Sequence, residues 1–256
     1  MATFPIKKRV NYPRWLKAST GIIAVLFVVL NILFPPPLGA ARDVSPVVTD
    51  QNGRWIAGFT VEEGRWRIAA DLSEIDPRFI ERLIAIEDKR FWNHSGVDVP
   101  AILRAGRSWK REGTPVSGAS TITMQLVRQL EPRPRNLRSK VIETVRAVQY
   151  EIWLSKAEIL ESYLTHVSYG GNIEGVHAAS KVYFCKPPFQ LTDAEIALLI
   201  ALPQAPEARR PDLRPLVAKA GRDKILEKLA ANKVITRDQA EEAKALAVNV
   251  KRQDMP

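Results

Sequence analysis

Residues 87–98 read Glu87-Asp88-Lys89-Arg90-Phe91-Trp92-Asn93-His94-Ser95-Gly96-Val97-Asp98. Just upstream, Asp76-Pro77 offers an N-cap followed by proline at the first helical position. Phe79, Ile80, Leu83 and Ile84 then fall on one helical face. A carboxylate that ends a buried face is partly withdrawn from water, which suits a general base. The plainer alternative is a solvated helix end whose acids pair with Lys89 and Arg90.

Three further segments lie downstream. Gly118-Ala119-Ser120-Thr121-Ile122-Thr123-Met124-Gln125-Leu126 offers small residues and hydroxyls that suit sugar or phosphate oxygens, or a Ser/Thr cap opening a helix. From Arg128 to Glu143 the chain carries Arg128, Arg133, Arg135, Arg138 and Lys140 before ending in a second acid. Pro132 and Pro134 keep Arg133 and Arg135 off a regular helix, so they lie on a loop. Guanidinium groups match phosphate oxygens bidentately, and such a loop suits a diphosphate or is an ordinary solvated basic turn. In Lys156–Lys186, Tyr169-Gly170-Gly171-Asn172 interrupts two helical stretches as a tight turn. His94, His166 and His177 lack the partners and spacing of a structural zinc site.

Ser155-x-x-Glu158, Thr192-x-x-Glu195 and Thr236-x-x-Gln239 are capping boxes, each predicting a helix start. Val141, Ile142, Val145 and Val148 keep helical spacing, as do Ile196, Leu199 and Ile200. Val47–Leu72 reads as a small antiparallel sheet of three strands, with turns at Asp50–Gly53 and Glu62–Gly64. The expected fold is mainly α, with the principal domain over 74–245.

The net charge is +10, and half of it comes from Lys7, Lys8, Arg9, Arg14 and Lys17. The uncharged run Ala18–Phe34 follows, roughly 25 Å long as a helix. This predicts a basic cytoplasmic tail over 1–17, a transmembrane helix over 18–38 and export of the remainder; a cleaved signal peptide is the alternative. Residues 39–73 are the linker and small β element, and 246–256 read as the start of a linker to a further domain. A single cysteine, Cys185, makes no internal disulfide. Export argues against a nucleic-acid partner despite the high isoelectric point.

In this order, the segments resemble the glycosyltransferase module of class A penicillin-binding proteins, the family 51 glycosyltransferases. E-D-x-x-F-x-x-H-x-G-x-D matches at every defined position of Glu87–Asp98, and G-x-S-T-I-T-x-Q-L matches Gly118–Leu126. K-x-x-E matches Lys140 and Glu143. Lys156–Leu164, Tyr183-Phe184-Cys185-Lys186 and Leu202-Pro203-Gln204-Ala205-Pro206 complete the series. Met124, Ser139, Thr165 and Cys185 depart from the usual pattern.

The resemblance implies a lysozyme-like glycosyltransferase domain whose membrane-proximal part takes the substrate's lipid tails, at the outer face of a bacterial inner membrane. It implies Glu87 and Glu143 as catalytic, and Asp88, Ser120, Thr121, Gln125, Arg128, Arg135 and Lys140 as substrate-binding. Substrates would be lipid II and the growing glycan strand. A divalent cation, Mg2+ or Mn2+, near Glu143 is the one cofactor it allows. Separate transpeptidases and other cell-wall synthesis proteins would be partners. No Ser-x-x-Lys or Lys-Thr-Gly occurs in these residues, so no transpeptidase activity is expected. The rival readings are a degenerate scaffold module and a lysozyme-like glycan-cleaving enzyme.

Overall fold

Helix caps and apolar periodicity account for most element boundaries. The computed structural model describes residues 25, 28–29, 31–39, 43–51, 55–112, 120–248 and 250–255. The chain divides into two units, Met1–Pro36 and Pro37–Pro256. In the first, residues 31–33 are helical, and Ile32, Leu33 and Phe34 are exposed. Among the described residues no helix is long and apolar enough to cross a membrane. Of the span expected over 18–38, positions 18–24, 26–27 and 30 lie outside the described residues.

In the second unit, β1 (Val47–Thr49) pairs antiparallel with β2 (Trp55–Gly58), with Val47 opposite Gly58. The third expected strand goes elsewhere, which corrects the reading of one antiparallel sheet. β3 (Trp66–Arg67) runs parallel to β5 (Ile173–Glu174), which pairs antiparallel with β4 (Ser168–Gly170). Charge accounts for the pairing. Arg67 Nε donates to Glu174 Oε2 at 2.7 Å with both side chains buried, and Arg65 Nη1 reaches Glu174 Oε1 at 2.5 Å. Removing one partner of such a buried pair typically costs about 3–5 kcal/mol, so the pair holds β3 in this register.

Nine helices follow among the described residues of this unit: α1 (Pro77–Glu87), α2 (Val99–Glu112), α3 (Ile122–Leu130), α4 (Leu137–Trp153), α5 (Lys156–His166), α6 (Val176–Phe184), α7 (Asp193–Ala201), α8 (Pro215–Ala231) and α9 (Arg237–Ala245). Asp76 caps α1 ahead of Pro77, and all three capping boxes close. Seven of the nine residues of α7 are buried, from Ala194 to Ala201, so this helix is apolar on every side and packs against α1, α6, α8 and α9. Buried Arg222 of α8 donates to the carbonyls of Lys244 and Leu246, which satisfies the C-terminal end of α9. A second group forms where α3 packs on α4 and α5, and α6 touches both α5 and α7.

One amphipathic helix faces the opposite way from its apolar stripe. In α4 the buried residues are Ser139, Glu143, Ala147, Gln149 and Tyr150. Leu137, Val141, Val145, Ile152 and Trp153 are exposed, as are Val99, Ile102 and Leu103 of α2.

Candidate active site

The last turn of α1 closes with Asp88 N–H donating to Ile84 O, and the chain leaves the helix immediately after Glu87. Asp88 itself is buried. Its carboxylate accepts from Ile122 N, at the start of α3, and faces His94 Nε2, both at 3.0 Å. Thr121 caps α3 by accepting from Met124 N at 3.1 Å, and its hydroxyl donates to Gly96 O at 2.6 Å. Gly96 has φ +83°, and a Cβ there would lie 2.5 Å from Ala147 O of α4, so only glycine fits. The acids do not pair with Lys89 and Arg90 as the solvated-end alternative required. Arg90 bonds Asp98, and Lys89 donates to Asn232 Oδ1 at 2.7 Å.

Lys156 ties in the fourth segment. Its ammonium lies 4.4 Å from the Phe91 ring centre and 2.7 Å from Glu151 Oε1, which also accepts from Thr123 Oγ1 at 2.7 Å. Thus the segments singled out in the sequence converge on one end of α1 and α3.

Glu87 is half-buried, and each of its oxygens is held by an amide. Gln125 Nε2 donates to Oε2 and Gln204 Nε2 donates to Oε1, both at 3.0 Å. Beside it lies a pocket of about 180 Å3 lined by Glu87, Asp88, Arg104, Ser120, Thr121 and Lys228, among others. A larger groove of about 790 Å3 between α8 and α9 includes no residue of the quoted segments other than the α9 capping box, so size alone does not mark the site.

Across Ser120 from the Glu87 pocket stands the second acid. Glu143 is buried and chelated: Arg128 Nε and Nη2 donate to its two oxygens at 2.9 and 3.0 Å, and Lys140 Nζ reaches Oε2 at 3.1 Å. Lys140 also donates to Ser120 Oγ at 2.8 Å. Burial pushes the Glu143 carboxyl up, but its bonds to Arg128 and Lys140 outweigh this and hold it below the usual range. The same bond holds Arg128 up, while burial draws Lys140 down. Arg135 is exposed on the loop before α4, whereas Arg133 is spent on Glu131.

A cation site fits poorly here. Both Glu143 oxygens are taken by cationic side chains, and no cluster of three or more His, Cys, Asp or Glu occurs among the described residues. His166 Nδ1 lies 2.8 Å from Ser162 O, and His177 Nε2 stands 3.7 Å from Glu74.

The four departures are accommodated. Met124 and Ser139 are buried, and the Thr165 hydroxyl donates to Glu161 O while accepting from Ala70 N. Cys185 caps α6 at φ 57°, a left-handed conformation that glycine takes more easily. The sequence reading gives no role to Gln204, which it quotes, or to Arg209, which it does not. The Leu202–Pro206 segment was the one available signal, and no local pattern marks Arg209.

The family model described as "Transglycosylase" matches residues 52–230. Penicillin-binding protein 1C of Escherichia coli is 39% identical over 226 residues, which cover 88% of this chain and 29% of that protein. Penicillin-binding protein 1A of Aquifex aeolicus is 34% identical, covering 91% of this chain and 33% of its own length. A crystal structure of penicillin-binding protein 1A from Haemophilus influenzae aligns with 80% of this chain and 21% of that one, at 18% identity and a TM-score of 0.45. The chain spans about a third of the length of the curated relatives it matches.

Proposed function

Since the chain belongs to the transglycosylase family, we propose that it is a peptidoglycan glycosyltransferase that polymerises lipid II on a lysozyme-like scaffold. Glu87 takes the proton from the acceptor sugar's 4-hydroxyl. That oxygen bonds to the anomeric carbon of the growing strand with inversion. The bond to the diphosphate breaks, and undecaprenyl diphosphate leaves with the electron pair.

One observation carries the reading: the pocket beside Glu87 adjoins the Arg128–Glu143–Lys140 cluster through Ser120. A base and a cationic receptor for the leaving group thereby stand on either side of one small residue. Diphosphate needs positive charge more than a strong acid to depart, and Arg128 and Lys140 supply it, with Arg135 free to swing in from the loop. Glu143 offsets one of the two positive charges until the substrate arrives and keeps both cations aimed. Asp88 and Thr121, whose polar atoms are already engaged, shape the pocket from behind. The exposed apolar side chains of α2 and α4 suit the lipid tails, and with an anchor over 18–38 they would hold the domain at the outer face of the inner membrane.

The test is the purified chain incubated with lipid II. The expected products are glycan strands and undecaprenyl diphosphate. Intact lipid II would mean an inert scaffold; hydrolysis of preformed glycan would mean a lytic enzyme.

A further inference from the structure

The hold on Glu87 extends one residue further than the family motifs. Arg209 Nη1 donates to Gln204 Oε1 at 3.1 Å and to Ala201 O, at the end of α7, at 2.6 Å. Its stem lies against Gly221 of α8, where a Cβ would come within 3.2 Å of Arg209 Cδ. A guanidinium has donors and no acceptor. Gln204 must therefore turn its oxygen toward Arg209, which leaves its NH2 for Glu87 Oε1 at 3.0 Å. On the other side, the Tyr163 hydroxyl faces Gln125 Oε1 at 3.4 Å, and Gln125 presents its NH2 to Glu87 Oε2. Burial and the nearby Glu87 charge raise Tyr163, so its hydroxyl stays protonated and able to donate.

We propose that Arg209 and Gln204 are positioning residues for the general base: Arg209 locks the Gln204 amide, and Gln204 fixes the Glu87 carboxylate so that its unshared lone pairs meet the acceptor hydroxyl. This rests on the role given to Glu87 above. Gln204 is exposed, and a lone neutral bond there is worth only about 0.5–1.5 kcal/mol. The rigid guanidinium behind it supplies orientation that a free surface glutamine lacks. Each Glu87 oxygen gives one lone pair to an amide and keeps another for the substrate.

The experiment uses the full chain in detergent, comparing wild type with Gln204→Met, Arg209→Met and the double variant. Gln204→Met should lower kcat about tenfold, the scale of a sub-ångström misplacement of a reacting group, with KM for lipid II unchanged. Arg209→Met should fall similarly, and the double variant should lose no more than Gln204→Met alone, because the two act in series. A second readout needs no turnover. The antisymmetric carboxylate stretch of Glu87, isolated by difference against Glu87→Gln, should shift equally in both single variants. Additive losses, a raised KM, or a Glu87 band unmoved by Arg209→Met would overturn the relay. Failure of the wild type to polymerise lipid II would instead overturn the proposed function, with the band shift still deciding the relay.

Discussion

Glu143 and its two cations form a connected group of charges, and that group has a pH signature. The folded-state carboxyl is held below its ordinary value, so the ion cluster stabilises the protein above the unfolded pKa of about 4.3. That contribution is lost as pH falls through the lower folded value. Glu143→Gln leaves Arg128 and Lys140 partly buried without their counter-charge. It should lower the melting temperature at pH 7, and the gap from wild type should shrink below about pH 4. A gap that stayed constant from pH 7 to pH 3 would show that the cluster contributes no charge-dependent stability. At this scale the residues were legible, because Glu87, Glu143, Arg128 and Lys140 stand in recognisable segments. Their partners were not. Gln204 lies 117 residues from Glu87, and a motif names residues without saying which atom of a side chain faces which.

Caps were the most legible elements, since a capping box is written within four residues and all three closed. Strand pairing was less so. β3 is two residues long, and its partner Glu174 lies more than a hundred positions away, so the turn at Glu62–Gly64, which does form, suggests a hairpin where β3 instead pairs with β5. For α4 the spacing of Val141 and Val145 announces a helix without saying which side meets the protein. Its inner side is polar because it lies against Arg128 and Ser120. Cys185 holds a left-handed conformation that costs an L-residue roughly 1–2 kcal/mol, part of which glycine gives back in backbone entropy. Cys185→Gly should therefore stabilise the domain by about 1 kcal/mol in urea denaturation. No gain, or a loss, would mean that the cysteine side chain makes a compensating contact.

Within the second unit, two helical groups meet around α6, and the site lies where the C-terminal end of α1 meets the start of α3. Buried α7 anchors α1 and, through Arg209, also reaches toward Glu87. Residues that hold the fold thus also reach the proposed base, Glu87, which is itself half-exposed. Replacing it with its amide should leave the fold intact while removing the proton acceptor, which separates chemistry from structure. The direct measurement is lipid II turnover by the full chain, wild type against Glu87→Gln, with melting temperatures recorded for both. Equal melting temperatures and a loss of at least about 10²-fold in turnover, the low end of general-base contributions, are expected. Turnover near wild type in the Glu87→Gln protein would contradict Glu87 as the base.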